Sequence, residues 1–291
     1  MSQASLMSVF SRLVSAAFVA GLALPLAGCD FGTLDDLSTD QAIDAPSEMT
    51  VAARAFWTAY SKTSADDVKK EMAGIEGVIQ RTSTVPMQVK IGDLTKAETD
   101  LVLPNKDPAP AQGMLIVTEL DCPLDKVEQY VIAKNQSELY PDLYDEYTRT
   151  YSSSSADFLS RAAPQLTWRT DYKATALGRT YLSNLTGGAW RLPDASPTGG
   201  PVLLSRTYLN EPANFISGEP ASFNQDYQIE VYWEVSPGRT RHLYGLWREF
   251  SLTTLTSESD LYISIVLGNL SDFDARTSKI CKTGAPVPDT K

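Results

Sequence analysis

Hydrophobic and polar positions change their spacing along this chain, and the spacing separates helix from strand. Between Ser47 and Thr82 it is helical. Ala53, Phe56, Trp57 and Tyr60 share one face of a helix that Ser47 can cap, and Val68, Met72, Ile75 and Ile79 form one stripe on a second. Ser64, Asp66 and Asp67 open that second helix with acidic groups at its positive end. "PMQVKI" predicts a short strand, and Thr95 with Glu98 a capping box on a helix of one or two turns. The Pro-rich stretch Pro104 to Gly113 marks a boundary between two regions.

Beyond it, "MLIVTEL" predicts a buried strand, and Pro123 opens a helix carrying Leu124, Val127 and Val131. "DLYDEYTRTYSSSSADFLSRAA" reads as helical or irregular. Six strands follow. In "TWRTDYKATA" Trp168, Tyr172, Ala174 and Ala176 alternate with Arg169, Asp171, Lys173 and Thr175; "DYQIEVYWEV" sets Tyr227, Ile229, Val231, Trp233 and Val235 on one side. Such alternation predicts antiparallel strands with one face wet. "RTYLSNL", "PVLLSRTYL", "LYGLWREFSLTTL" and "LYISIVLG" supply the other four, and Ser271 caps a short final helix carrying Cys281. "FNQDYQ" and "LNEPANF" read as polar loops at strand ends.

The expected fold is therefore α+β: an antiparallel sheet of about seven strands gripping helices, behind a small helical N-terminal region. The order strand, two helices, six strands, helix over roughly residues 113–283 resembles the helix-grip fold of the START and polyketide-cyclase superfamily. A generic α+β sheet protein fits the same order. The resemblance implies that the first and last strands are antiparallel neighbours. The final helix would then run back towards the start of the first helix, bringing Cys281 near Cys122. Ser271 to Lys282 allows only about three turns, shorter than that family's usual last helix.

The first 28 residues have another character. After the lone charge of Arg12, an apolar and small-residue run reaches Gly28, too short and too rich in Ala and Gly for a membrane span. Leu26-Ala27-Gly28-Cys29 resembles the lipobox of bacterial lipoproteins. That resemblance implies cleavage before Cys29, lipid on its thiol and a firm membrane tether, since two or more acyl chains anchor stably. Asp30 matches the inner-membrane retention residue of enteric lipoproteins, and Met7 begins a more conventional leader. The expected organisation is a signal peptide at 1–28 and an acidic tether at 29–46. A helical region with its Pro-rich linker follows at 47–112, the sheet domain at 113–283 and a tail at 284–291.

Charge narrows the partners. Taking Arg12 from the 25 basic side chains, against 36 acidic ones, leaves the processed chain at net −12. With no basic block, nucleic acid is an unsuitable partner. Cys122 and Cys281, an even pair in an exported chain, predict a disulfide. Closing a loop of about 160 residues, it contributes roughly 5 kcal/mol on the chain-entropy account.

His242 is the only histidine and lies in a strand-like stretch, so a Ser–His hydrolase or a zinc enzyme has little to build on. No cofactor motif or metal-ligand spacing is present. Trp168-Arg169, Trp190-Arg191 and Trp247-Arg248 suggest strands presenting Trp to one side and Arg to the other. The leading expectation is a non-catalytic envelope lipoprotein facing the periplasm that binds a hydrophobic or lipid-like molecule, with Trp168, Trp233 and Trp247 lining the cavity. A scaffold contacting other envelope proteins, without a cavity, is the alternative. A hydrolase built on paired acids stands lower.

Overall fold

The computed structural model describes residues 45–82, 86–141, 143–176, 178–252 and 255–284. The leader, the lipobox with Cys29, Asp30 and nearly all of the tether and tail lie outside the described residues.

Two helices open the described chain, α1 (Ala45–Lys62) and α2 (Ala65–Thr82). The stripes read from their spacing are the buried ones: Ala53, Phe56, Trp57 and Tyr60 on α1, and Val68, Met72, Ile75 and Ile79 on α2. Because α1 begins at Ala45, Ser47 stands inside its first turn instead of capping it. β1 (Met87–Ile91) and the short α3 (Lys96–Thr99) follow, the latter opened by the Thr95–Glu98 capping box.

The remaining elements are β2 (Gln112–Leu120), α4 (Leu124–Val131), α5 (Gln136–Leu139), β3 (Glu146–Tyr151), α6 (Ser155–Leu159), β4 (Gln165–Ala176), β5 (Arg179–Leu192), β6 (Val202–Leu209), β7 (Asn214–Ser217), β8 (Ala221–Ser236), β9 (Arg239–Leu252) and α7 (Asp260–Thr283). The strands form one antiparallel sheet in the order β1-β2-β9-β8-β6-β5-β4-β3, with β7 pairing with β5. The first and last strands of the sheet domain, β2 and β9, are neighbours, but the last is β9, not the "LYISIVLG" read as the final strand. The Pro-rich stretch connects α3 to β2, and Gln225 Nε2 donates to Asp107 O at 2.8 Å, tying that connection to β8.

Among the described residues nine strands stand where about seven were expected. β1 adds one by pairing with β2, β3 comes from "EYTRTY", read as helical or irregular, and β7 from "NFIS" inside a presumed loop. "FNQDYQ" is continuous with β8. In the other direction, "LYISIVLG" is the first two turns of α7, which spans 24 residues, or about 36 Å. Its buried residues Tyr262, Ile263, Val266, Leu267 and Leu270 follow helical spacing, which a short apolar run conceals. Ser259 caps the helix by accepting from the Tyr262 N–H, and Gly284, at φ +68°, ends it in the left-handed region. The length found missing from sequence is thus present.

β4 keeps the expected wet face, with Thr167, Arg169 and Asp171 exposed, whereas both faces of the central strands β8 and β9 are covered, which corrects the expectation for β8. Tyr227, Ile229, Val231 and Trp233 of β8, with Leu243 and Trp247 of β9, pack in one core with α1 and α2. This is the outer face. The alternate positions, Gln228, Glu230 and Tyr232 of β8 with His242, Tyr244 and Leu246 of β9, turn to the inner face and are buried there too. The inner face carries α4 and α7. Cys122 and Cys281 are joined, their Cα atoms 5.6 Å apart, and staple the start of α4 to the end of α7.

Candidate functional site

An internal cavity lies between the inner face and helices α4, α5 and α7. Its floor at one end is built from cross-strand pairs, Tyr151 beside Trp168 and Arg149 beside Thr170. Trp168 lies over Gly187 of β5, where a Cβ would overlap the indole; glycine in a strand here permits close approach. The Arg149 guanidinium sits 4.4 Å from the Trp168 ring centroid. Its Nη1 donates to the carbonyls of Val131 at 2.7 Å and Ala133 at 3.1 Å, placing a cation at the carboxyl end of α4. Tyr140, after α5, packs at a tilt of 32° against Phe273 of α7 with centroids 4.4 Å apart, and its hydroxyl bonds Thr277 at 2.8 Å.

The other end is a buried polar cluster on β2, β8, β9 and α7. His242 Nδ1 donates to Asp274 at 2.9 Å, Thr118 donates to the same carboxylate, and His242 Nε2 stands 3.5 Å from Glu230. Tyr232 donates to Glu230 and stacks on His242 at 4.1 Å. Farther along β8, Tyr244 donates to Gln228 at 2.7 Å, and Arg248 pairs with Asp226 at 2.9 Å with both fully buried. Burial pushes the Asp226 carboxyl up, against the pull of Arg248. The polar side of β8 is therefore satisfied by protein partners instead of water.

Burial alone would pull the His242 imidazole down, but Asp274, its hydrogen bond and Glu230 outweigh it and push it up to about 9. At neutral pH the ring is an imidazolium between two carboxylates. Because the folded value lies above the unfolded one near 6.5, this contribution is full below pH 6.5 and lost as pH rises through 9. Urea unfolding is expected to show a fall of roughly 3 kcal/mol across that window, flattened in His242→Gln. Stability that holds steady or rises between pH 6.5 and 9 would refute this reading.

Of the three tryptophans expected to line one cavity, only Trp168 does so. Trp233 and Trp247 lie on the opposite face, where their indole N–H groups donate to Glu76 of α2 at 2.7 Å and to the Gly92 carbonyl at 2.9 Å. Alternation within a strand is set by the chain, whereas the face each strand turns inward depends on its register. For the same reason Arg248 and Arg191 point inward. Arg191 meets Glu128 at 2.6 Å and Asp125 at 2.8 Å. Arg149, Tyr147, Glu230, Asp274 and Thr277 line the cavity and escaped the sequence reading. Only β3 carried a signal, the Tyr and Thr content of "EYTRTY".

The cavity measures about 60 Å³, room for a few water molecules and well below the roughly 300 Å³ of a drug-sized site. Glu230 and Asp274 both line it, yet each is engaged by its neighbours, which leaves neither placed as the free acid or base of a hydrolase. A larger open groove of about 490 Å³ lies over β3, β4 and β5, where Lys173 pairs with Glu146 and Asn184 donates to Asp171. Among the described residues no group of three or more His, Cys, Asp or Glu converges as a metal site.

No protein-family model matches the sequence, and no curated protein matches it. Among solved structures, a START superfamily protein from Mycobacterium smegmatis is similar at 10% identity, over 60% of this chain and 99% of that one, with TM-score 0.39. Human StAR-related lipid transfer protein 5 is similar at 10% identity, over 78% and 98%, with TM-score 0.39. The lipid transfer and protein localization domain of human StarD13 is similar at 12% identity, over 71% and 95%, with TM-score 0.38. At these values the function proposed below does not rest on the likeness.

Proposed function

We propose that the chain is a lipid-anchored, non-catalytic binding module of the bacterial cell envelope. In this reading Cys29 carries the lipid, residues 30–44 form the spacer, and the domain takes a small hydrophobic or lipid-like molecule between its sheet and α4–α5–α7. The observation that carries the binding half is the inner cavity, where Trp168, Tyr140 and Phe273 offer apolar walls and a few polar groups can fix orientation. At about 60 Å³ it must widen to accept a ligand. The tilted Tyr140–Phe273 pair is a place where two rings, not backbone, would move. The anchor half is supported by Leu26-Ala27-Gly28-Cys29, and among the described residues no helix is long and apolar enough to cross a membrane.

The small volume also favours the scaffold reading, in which the aromatic interior is only core. Native mass spectrometry on the processed protein, expressed into an oxidising periplasm, separates the two. A mass that leaves on denaturation and partitions into organic solvent supports the binding module. A bare protein that stays bare with envelope lipids supports the scaffold. For the anchor, Cys29→Ser is expected to abolish palmitate labelling and release the protein from membranes; labelling that persists would remove Cys29 from the account.

A further inference from the structure

We infer that the cavity is selective for a mono-anionic amphiphile, a single carboxylate on an apolar body, with Arg149 holding the acid group; this rests on the binding reading above.

Arg149 is only 9% exposed and lines the cavity. Among the described residues it has no carboxylate within ion-pair distance, and its Nε–H has no hydrogen-bond acceptor. The other arginines turned inward differ: Arg191 meets Glu128, and Arg248 meets Asp226. Arg206 is also held without an acid, but it lies on the outer face against Trp57 and Tyr60, donating to Ser61, and does not line the cavity.

A buried guanidinium without a counter-charge is costly, and two carbonyls with the Trp168 and Tyr147 side chains offset only part of it. A carboxylate reaching Nε would supply the missing acceptor and the missing charge in one charge-assisted contact. The Trp168 and Tyr147 rings, with centroids 4.4 Å and 5.7 Å from the guanidinium carbon, place apolar surface directly beside that head group.

The cavity is also polarised. Glu230 and Asp274 stand at the β8 end, four strand spacings from β3, roughly 19 Å along the sheet. The His242 imidazolium between them offsets one of the two charges, so a second negative charge on the ligand would meet a net negative end, and a monoacid is preferred to a diacid.

The test compares octanoate, octanol and octylammonium by calorimetric titration of the full disulfide-bonded protein. Octanoate is expected to bind at least tenfold tighter than octanol, and octylammonium weaker than either. Arg149→Gln is expected to erase the octanoate advantage while octanol still binds, and Arg149→Lys to retain part of it. Equal affinity for octanoate and octanol in the unaltered protein would overturn the inference and leave the binding reading standing. No binding of any of the three would remove both. An octanoate preference that survives in Arg149→Gln would also overturn the inference. Should Arg149→Gln not fold, octanoate carbon-13-labelled at C2, beside the carboxylate, gives the location in the unaltered protein: magnetisation transfer from its C2 protons to the Trp168 ring supports the site, and its absence with octanoate bound rejects it.

Discussion

Replacing Cys122 and Cys281 together by alanine is expected to lower unfolding stability by about 3–5 kcal/mol and to raise the denaturant slope. The reasoning lies in the unfolded chain. The bridge joins residues 159 positions apart, so it shortens the denatured ensemble over more than half the sequence, and its loss lets that ensemble expand. In the folded state both residues are buried, and the Cys122 carbonyl accepts from Thr240 of β9 at 2.7 Å, a contact the variant retains. The change should therefore act chiefly through the unfolded state and leave the sheet intact. Urea titration followed by tryptophan fluorescence checks it. A loss below about 1 kcal/mol with an unchanged slope would mean that the helix ends are held together without the bridge.

The second large effect is expected at Trp57, on the far side of the sheet. Trp57→Ala should cost about 3–5 kcal/mol, as for other large-to-small changes in a full core. Its indole is completely buried, meets Tyr227 and Trp247 edge-on at 5.7 Å and 6.3 Å, and donates to the Glu98 carbonyl at 3.0 Å. Truncation leaves a cavity, an unbonded carbonyl and an Arg206 guanidinium that loses one of its rings. The consequence reaches function through packing: α1 covers β8 and β9, whose opposite sides form the polar end of the cavity. Thermal unfolding measures it. A loss under about 1 kcal/mol would show that the N-terminal helices add little to the sheet, and the outer face would then need another cover.

Much of this architecture was legible where periodicity was long. The α1 and α2 stripes, the alternation of β4 and the Cys122–Cys281 pair each follow from local spacing or from parity, and the structure places them as read. Failures came where one pattern has two explanations. The run from Leu261 to Gly268 is apolar enough for either a buried strand or the start of a helix, and only the continuation to Thr283 decides. "EYTRTY" is short, carries charge and sits on an edge, so its hydrophobic signal is weak.

The site was harder to read for a deeper reason. Gln228, Glu230 and Asp226 have the look of a solvent face, and nothing in β8 itself reveals that Tyr244, His242 and Arg248 of β9 will meet them. Those meetings depend on the β8–β9 register and on α7 closing the inner face. The same dependence scattered the tryptophans: Trp168 fell on the cavity side, while Trp233 and Trp247 fell on the side of α1 and α2.

That division of the tryptophans supplies the most direct test of the binding account. The chain has five, and their indole N–H resonances report separately on Trp168 in the cavity wall and on Trp57, Trp190, Trp233 and Trp247 across the sheet. Titrating octanol into nitrogen-labelled protein should move the Trp168 resonance saturably while the other four stay in place. Five unmoved resonances, or movement confined to the outer four, would contradict the claim that the inner cavity is where this protein takes up an apolar molecule.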